Sequence, residues 1–132
     1  MILDLRLQIS DLEDEVNQEQ MKKRTKEFAK QIINLCRQLP NTREGRLIGD
    51  QIFRSGTSVG SNYRAVCRAR SRPDFIAKLG LVLEEVDETL YWLELLAETK
   101  ILKSEILIAP MKEANELVAI FVSSLNKVKG PK

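Results

Sequence analysis

Between Arg46 and Arg72 the chain sorts into three faces when it is wound as a helix at about 100° per residue. Arg43, Arg46, Arg54, Arg64, Arg68 and Arg72 fall in one arc of roughly 80°, with Thr57 and Ser61 among them. Ile48, Ile52, Val59, Tyr63 and Val66 fall on the opposite side, and Gly45, Gly49, Gly56 and Gly60 form a seam beside them. The apolar arc demands a core, the glycine seam lets another backbone come close, and the arginine stripe is left to water or to an anionic partner. A helix of this kind is stable only when packed against others, which points to a helical bundle.

The rest of the chain follows the same logic. With 132 residues it suits one domain that can bury a real core. An N-terminal arm, residues 1–10, precedes a bundle domain spanning 11–130. The arm reads two ways: Leu3, Leu5, Leu7 and Ile9 alternate as in a strand, while Ile2, Leu5, Ile9, Leu12 and Val16 keep a coiled-coil spacing. Ser10 with Glu13 forms a capping box, favouring an extended lead-in and a helix from about residue 11. That helix runs to Leu39 with Phe28, Ile32, Leu35 and Leu39 on one face, and Pro40 stops it. Asn41, with Glu44 three residues on, caps a second helix over roughly 43–70. Ser71, Pro73 and Asp74 start a third, which carries Phe75, Leu79, Val82, Val86, Leu90, Leu93 and Ala97 in one arc and ends near Lys100. Ser104 opens a fourth with Leu107, Met111, Ala114, Leu117, Phe121, Leu125 and Val128 inward. Pro110 kinks its first turns or marks its true start, and Gly130 and Pro131 close it. Short connections make neighbours antiparallel, so the expected fold is an all-α, up-down four-helix bundle.

Charge is segregated although the net value is only +2. Residues 1–20 are acidic, Lys22, Lys23, Arg24, Lys26 and Lys30 follow as a basic run, and residues 43–78 are basic again. Glu84, Glu85, Asp87, Glu88, Glu94 and Glu98 make the third helix acidic. A basic face of this kind meets nucleic acid or the acidic face of another subunit.

Several classes of chemistry are disfavoured. The absence of histidine removes the commonest general base and metal ligand, and with it serine–histidine and cysteine–histidine catalysis. Glu84, Asp87 and Glu88 point away from the core, as a solvated acidic face does, and Glu85 sits at the core border, where an arginine partner is expected. No metal and no cofactor is expected. Residues 55–62 lack the Gly-Lys-Ser/Thr ending and the preceding strand of a phosphate loop. Cys36 and Cys67 are too few for a disulfide framework and read as free thiols in a reducing compartment. No secretory signal and no apolar run near 20 residues is present, so the expected setting is cytoplasmic, with no membrane partner.

The run from Gln51 through Arg54-Ser55-Gly56-Thr57-Ser58-Val59-Gly60-Ser61-Asn62-Tyr63-Arg64-Ala65 resembles a signature of a bacterial four-helix-bundle family first noticed as reading frames in intervening sequences of 23S rRNA genes. The likeness continues through Arg68–Phe75, Lys78–Gly80 and Glu84–Glu94, and covers about residues 26–128. The resemblance implies a four-helix protomer in a ring-like homopentamer. A relative, the accessory variability determinant of diversity-generating retroelements, binds nucleic acid and a reverse transcriptase through a basic surface. That role carries onto Arg54, Asn62, Arg64, Arg68, Arg70 and Arg72, which with Arg43 and Arg46 are the candidate nucleic-acid-binding residues. The chain departs from the retroelement protein in its acidic N-terminal arm and its lower basicity.

The expected function is therefore that of a non-enzymatic homo-oligomer binding RNA, DNA or a ribonucleoprotein, a reverse transcriptase complex among them, through an arginine-lined face. The alternative is an interaction module whose arginines form salt bridges between subunits, without nucleic acid.

Overall fold

The structure, a computed structural model, describes residues 5–130, with side chains from Asn17 onward. It is an all-α bundle of four helices: α1 (Leu5–Cys36), α2 (Arg43–Val66), α3 (Arg72–Glu98) and α4 (Ser104–Lys129). α1 packs on α2, α2 on α3 and α3 on α4, and a sparser α1–α4 contact closes the bundle.

The inward arcs meet as the periodicity implies. Phe28, Ile32, Ile52, Val59, Val82, Val86, Leu93 and Leu117 are wholly buried, and Val66, Leu79, Leu107 and Phe121 nearly so. Each such side chain contributes about 1.5–3 kcal/mol by leaving water. Thr89 and Leu96 are also buried, whereas Phe75, Leu90, Ala97 and Met111 are only half-buried at the margin. The buried Ser55 and Thr89 hydroxyls lie 2.8 Å apart and hydrogen-bond across the α2–α3 contact.

The glycine seam lets α1 and α2 approach closely. A Cβ on Gly56 would stand 2.7 Å from Ile32 Cγ1, and one on Gly60 would stand 3.4 Å from the Thr25 carbonyl. Proline inside α4 is accommodated with Pro110 buried against its neighbours.

Several boundaries differ from the sequence expectation. α1 begins at Leu5, ahead of residue 11, because the 3–4 apolar spacing extends the helix where alternation suggested an extended lead-in. It ends at Cys36, and Leu39 follows in the turn before Pro40. Thr42, not Asn41, caps α2: its side chain accepts from Gly45 N at 3.1 Å, while Asn41 Oδ1 accepts from Arg46. α2 stops at Val66, not near residue 70, so Arg68 and Arg70 lie in the link to α3. The reason is Ser71, whose extended backbone caps α3 by accepting from Asp74 N at 3.1 Å. α3 ends at Glu98, and Lys100 takes a left-handed φ of 59° with Ile101 N bonded back to Leu96 O, the Schellman pattern. Gly130, at φ 76°, ends α4. The expectations for residues 1–4 and Pro131 lie outside the described residues.

Candidate nucleic-acid interface

The guanidiniums of the arginine stripe are not all free. Arg54, at the middle of α2, turns to α3: its guanidinium donates to Glu85 at 3.3 Å and also to Glu88. Glu85 thus has the arginine partner its border position called for. Glu88 is not simply solvated, because Trp92 Nε1 donates to its Oε2 at 3.0 Å. The Trp92 bond first, and then Arg54, hold the Glu88 carboxyl below its ordinary range against the cost of desolvation.

The two ends of the stripe differ as well. Arg43 opens α2, exposed, and Arg46 donates to Asn41 Oδ1 at 2.9 Å. Asn62 is half-buried. Arg72 opens α3 and folds back onto α4, where its Nε donates to Val128 O at 3.0 Å. A cation there meets unsatisfied carbonyls at a helix C-terminus, where the helix dipole favours it. Arg70 N donates to Asp74 Oδ2 at 3.1 Å, and Lys78 Nζ reaches the same oxygen at 2.9 Å. Lys78 first and Arg70 second pull the Asp74 carboxyl below its ordinary range. The Arg64 and Arg68 side chains are exposed and have no hydrogen-bond or ion-pair partner among the described residues.

Lysines of α1 join the unpaired arginines. Lys22 and Lys26 share with Thr57, Gly60, Ser61 and Arg64 a recess of about 180 Å³ between α1 and α2, floored by Ala29 and Gly60. Lys22 Nζ is held by Glu19 at 2.8 Å, while Lys26 has no side-chain partner among the described residues. Sequence reasoning saw the basic run of α1 but did not join it to Arg64. The available signal was the short link after Cys36, which lays residues 22–26 antiparallel beside residues 57–64.

Opposite charge gathers elsewhere. Glu84, Asp87 and Glu94 of α3 are exposed, together with Leu81 at 53% and Tyr91 at 54%. Outward on α2, Leu47 and Phe53 are similarly exposed beside Arg43 and Arg46. On the α4 side of α1, Arg24 grips Glu113 through Nε at 2.8 Å and Nη2 at 2.7 Å, and reaches Glu116 at 3.1 Å. Both cysteines are free, and burial pushes the Cys36 thiol up to about 11. Among the described residues, no helix is long and apolar enough to cross a membrane, and no three acidic or thiol side chains converge as metal ligands.

Residues 17–123 match the family of 23S rRNA-intervening sequence proteins. Among solved structures, the chain is similar to a protein of unknown function from the S23 ribosomal protein family of Bacteroides thetaiotaomicron. The two are 39% identical with a TM-score of 0.74, over 80% of this chain and 97% of that one. A comparison with curated proteins returned no match.

Proposed function

The chain belongs to the 23S rRNA-intervening sequence protein family, and from that membership we propose a non-enzymatic, homo-oligomeric protein that binds RNA, alone or in a ribonucleoprotein such as a reverse transcriptase complex, through the basic edge where α1 meets α2. One observation carries this reading: of the arginines in the stripe's C-terminal half with no partner among the described residues, Arg64 stands beside Lys22 and Lys26 of the neighbouring helix, and Arg68 lies close enough to Lys22 to repel its charge. Unpaired guanidinium forks suit phosphate oxygens, and cations from two helices along one edge suit a linear polyanion. Tyr63 is buried, so base stacking contributes little and recognition follows charge and shape. The absence of histidine, and thiols made less acidic by burial, support a role in binding rather than catalysis.

Self-association is supported by a second observation. The outward face of α2 joins Leu47 and Phe53 to Arg43 and Arg46, and that of α3 joins Leu81 and Tyr91 to Glu84 and Asp87. Two different faces of opposite charge suit head-to-tail pairing, which closes into a ring where the rotation between neighbours completes a circle. This favours the alternative reading, a subunit-joining module without nucleic acid, only if the basic edge too is covered by a neighbour.

Salt-titrated binding of structured RNA to the wild type and to Arg64→Glu/Arg68→Glu, with the mass of each in solution, tests both. The expected result is affinity falling steeply with salt in the wild type, lost in the variant at unchanged mass. No affinity at low salt overturns the RNA reading, and a variant that drops to monomers assigns these arginines to subunit contacts.

A further inference from the structure

Resting on the RNA reading above, the structure also offers a defined seat for one phosphate. We propose that the recess between α1 and α2 over Gly60 holds a single backbone phosphate of the bound RNA, with Lys26 and Arg64 as its charged ligands and Ser61 as a neutral donor.

The recess exists because of the small residues beneath it. Gly60 brings the α2 backbone against Thr25, and Gly60 and Ala29 leave the space between the flanking cations unfilled. The recess, of about 180 Å³ and open to solvent on one side, has room for a phosphate group. Lys22, Lys26 and Arg64 border this space from two helices. The arginine offers a planar fork and the lysine a compact point charge, a pairing that suits a phosphate with two free oxygens.

The hydroxyls differ in what they have left to give. Thr57 Oγ1 donates to Phe53 O at 2.7 Å, the ordinary length for a hydroxyl, and so remains a wall. Ser61 Oγ lies 3.2 Å from Ser58 O, a long bond that a phosphate oxygen readily replaces. Lys22 is held by Glu19, whereas Lys26 is not, so Lys26 is the lysine able to commit its whole charge.

Two cations on one phosphate leave a particular signature. The slope of log K against log salt counts phosphates neutralised, at about 0.7–0.9 per phosphate. Lys26→Gln/Arg64→Gln therefore lowers the slope by about one, whereas two independent contacts lower it by about two. Lys112→Gln, an exposed lysine on α4, serves as the control and changes nothing. Both target side chains are exposed, and thermal melting confirms that the variants fold. In parallel, NMR follows the Gly60 and Ser61 amides as structured RNA or inorganic phosphate is added. The expected result is movement of both amides with RNA, weaker movement with phosphate at high concentration, and neither in the double variant. RNA binding that keeps its slope in the double variant overturns the seat while leaving the RNA reading standing. A wild type without RNA affinity overturns both. Movement with phosphate but not with RNA assigns the recess to a free anion and overturns the proposal.

Discussion

Gly56 backs so closely onto Ile32 that a methyl group at its α-carbon would stand 2.7 Å from Ile32 Cγ1 and 2.8 Å from Cγ2. One helical turn away, Gly60 leaves 3.4 Å to the Thr25 backbone, an ordinary contact distance. Both glycines sit in a helix interior, where each costs about 1 kcal/mol relative to alanine. The same substitution therefore has opposite signs at the two positions. Gly60→Ala recovers up to about 1 kcal/mol and raises the melting temperature. Gly56→Ala forces the wholly buried Ile32 off its seat, at a cost of about 1–3 kcal/mol that outweighs the recovered propensity. Gly56→Leu, with three more carbons to place, loses more still and separates α1 from α2. Thermal melting of the three variants decides the matter. A Gly56→Leu protein that melts like the wild type refutes close packing at this seam.

Glu88 makes the bundle sensitive to acid. Its carboxylate accepts from Trp92 and from Arg54, and the folded state lowers its pKa from an ordinary value of 4.5. A carboxyl with a depressed folded pKa contributes stability that is fully present above its unfolded value. That contribution is lost as pH falls through the folded one. Glu88→Gln is accordingly less stable than the wild type at pH 7, and the gap narrows as pH falls below about 4.5. Asp74, lowered by Lys78 and Arg70, keeps some acid dependence in the variant. Urea unfolding followed by Trp92 fluorescence from pH 7 down to about 2.5 measures it. A gap independent of pH shows that Glu88 contributes by packing and not by charge.

Local pattern made most of the fold legible in advance. The inward arc through Ile52, Val59 and Val66 and the Ser71–Asp74 start of α3 are properties of one segment and its own backbone, and both stand as read. A helical wheel, however, continues any pattern indefinitely. It carried α2 through Arg68 and Arg70, although the extended backbone of Ser71 ends that continuity. It also placed Arg54 among outward arginines, because its neighbours Glu85 and Glu88 are 31 and 34 residues away and meet it only when α2 and α3 pack. The same limit hid the recess: Lys26 and Arg64 belong to different helices, and only the interhelical register puts them on one cavity. Glu88, read as part of a solvated acidic face, is held on Arg54 for the same reason, whereas Glu85 has the kind of partner expected of it.

The split within the stripe gives the most direct test of how its arginines divide their work. Arg54 has its guanidinium on Glu85, which is 22% exposed, and on Glu88. Arg64 has no such partner among the described residues. Removing Arg54 leaves two half-buried carboxylates without their cation, so Arg54→Ala lowers the melting temperature. It removes a charge that was already balanced, so RNA affinity changes little. Arg64→Ala does the reverse: an exposed side chain with nothing to lose in the folded state shifts stability by less than about 0.5 kcal/mol. It deletes an unbalanced charge from the basic edge, so RNA affinity falls several-fold at low salt and less as salt rises. Melting temperature and salt-titrated binding, measured on both variants, place each arginine on one axis or the other. If Arg54→Ala weakens RNA binding as much as Arg64→Ala does, the pairs to α3 open when RNA arrives, and the stripe acts as one surface after all.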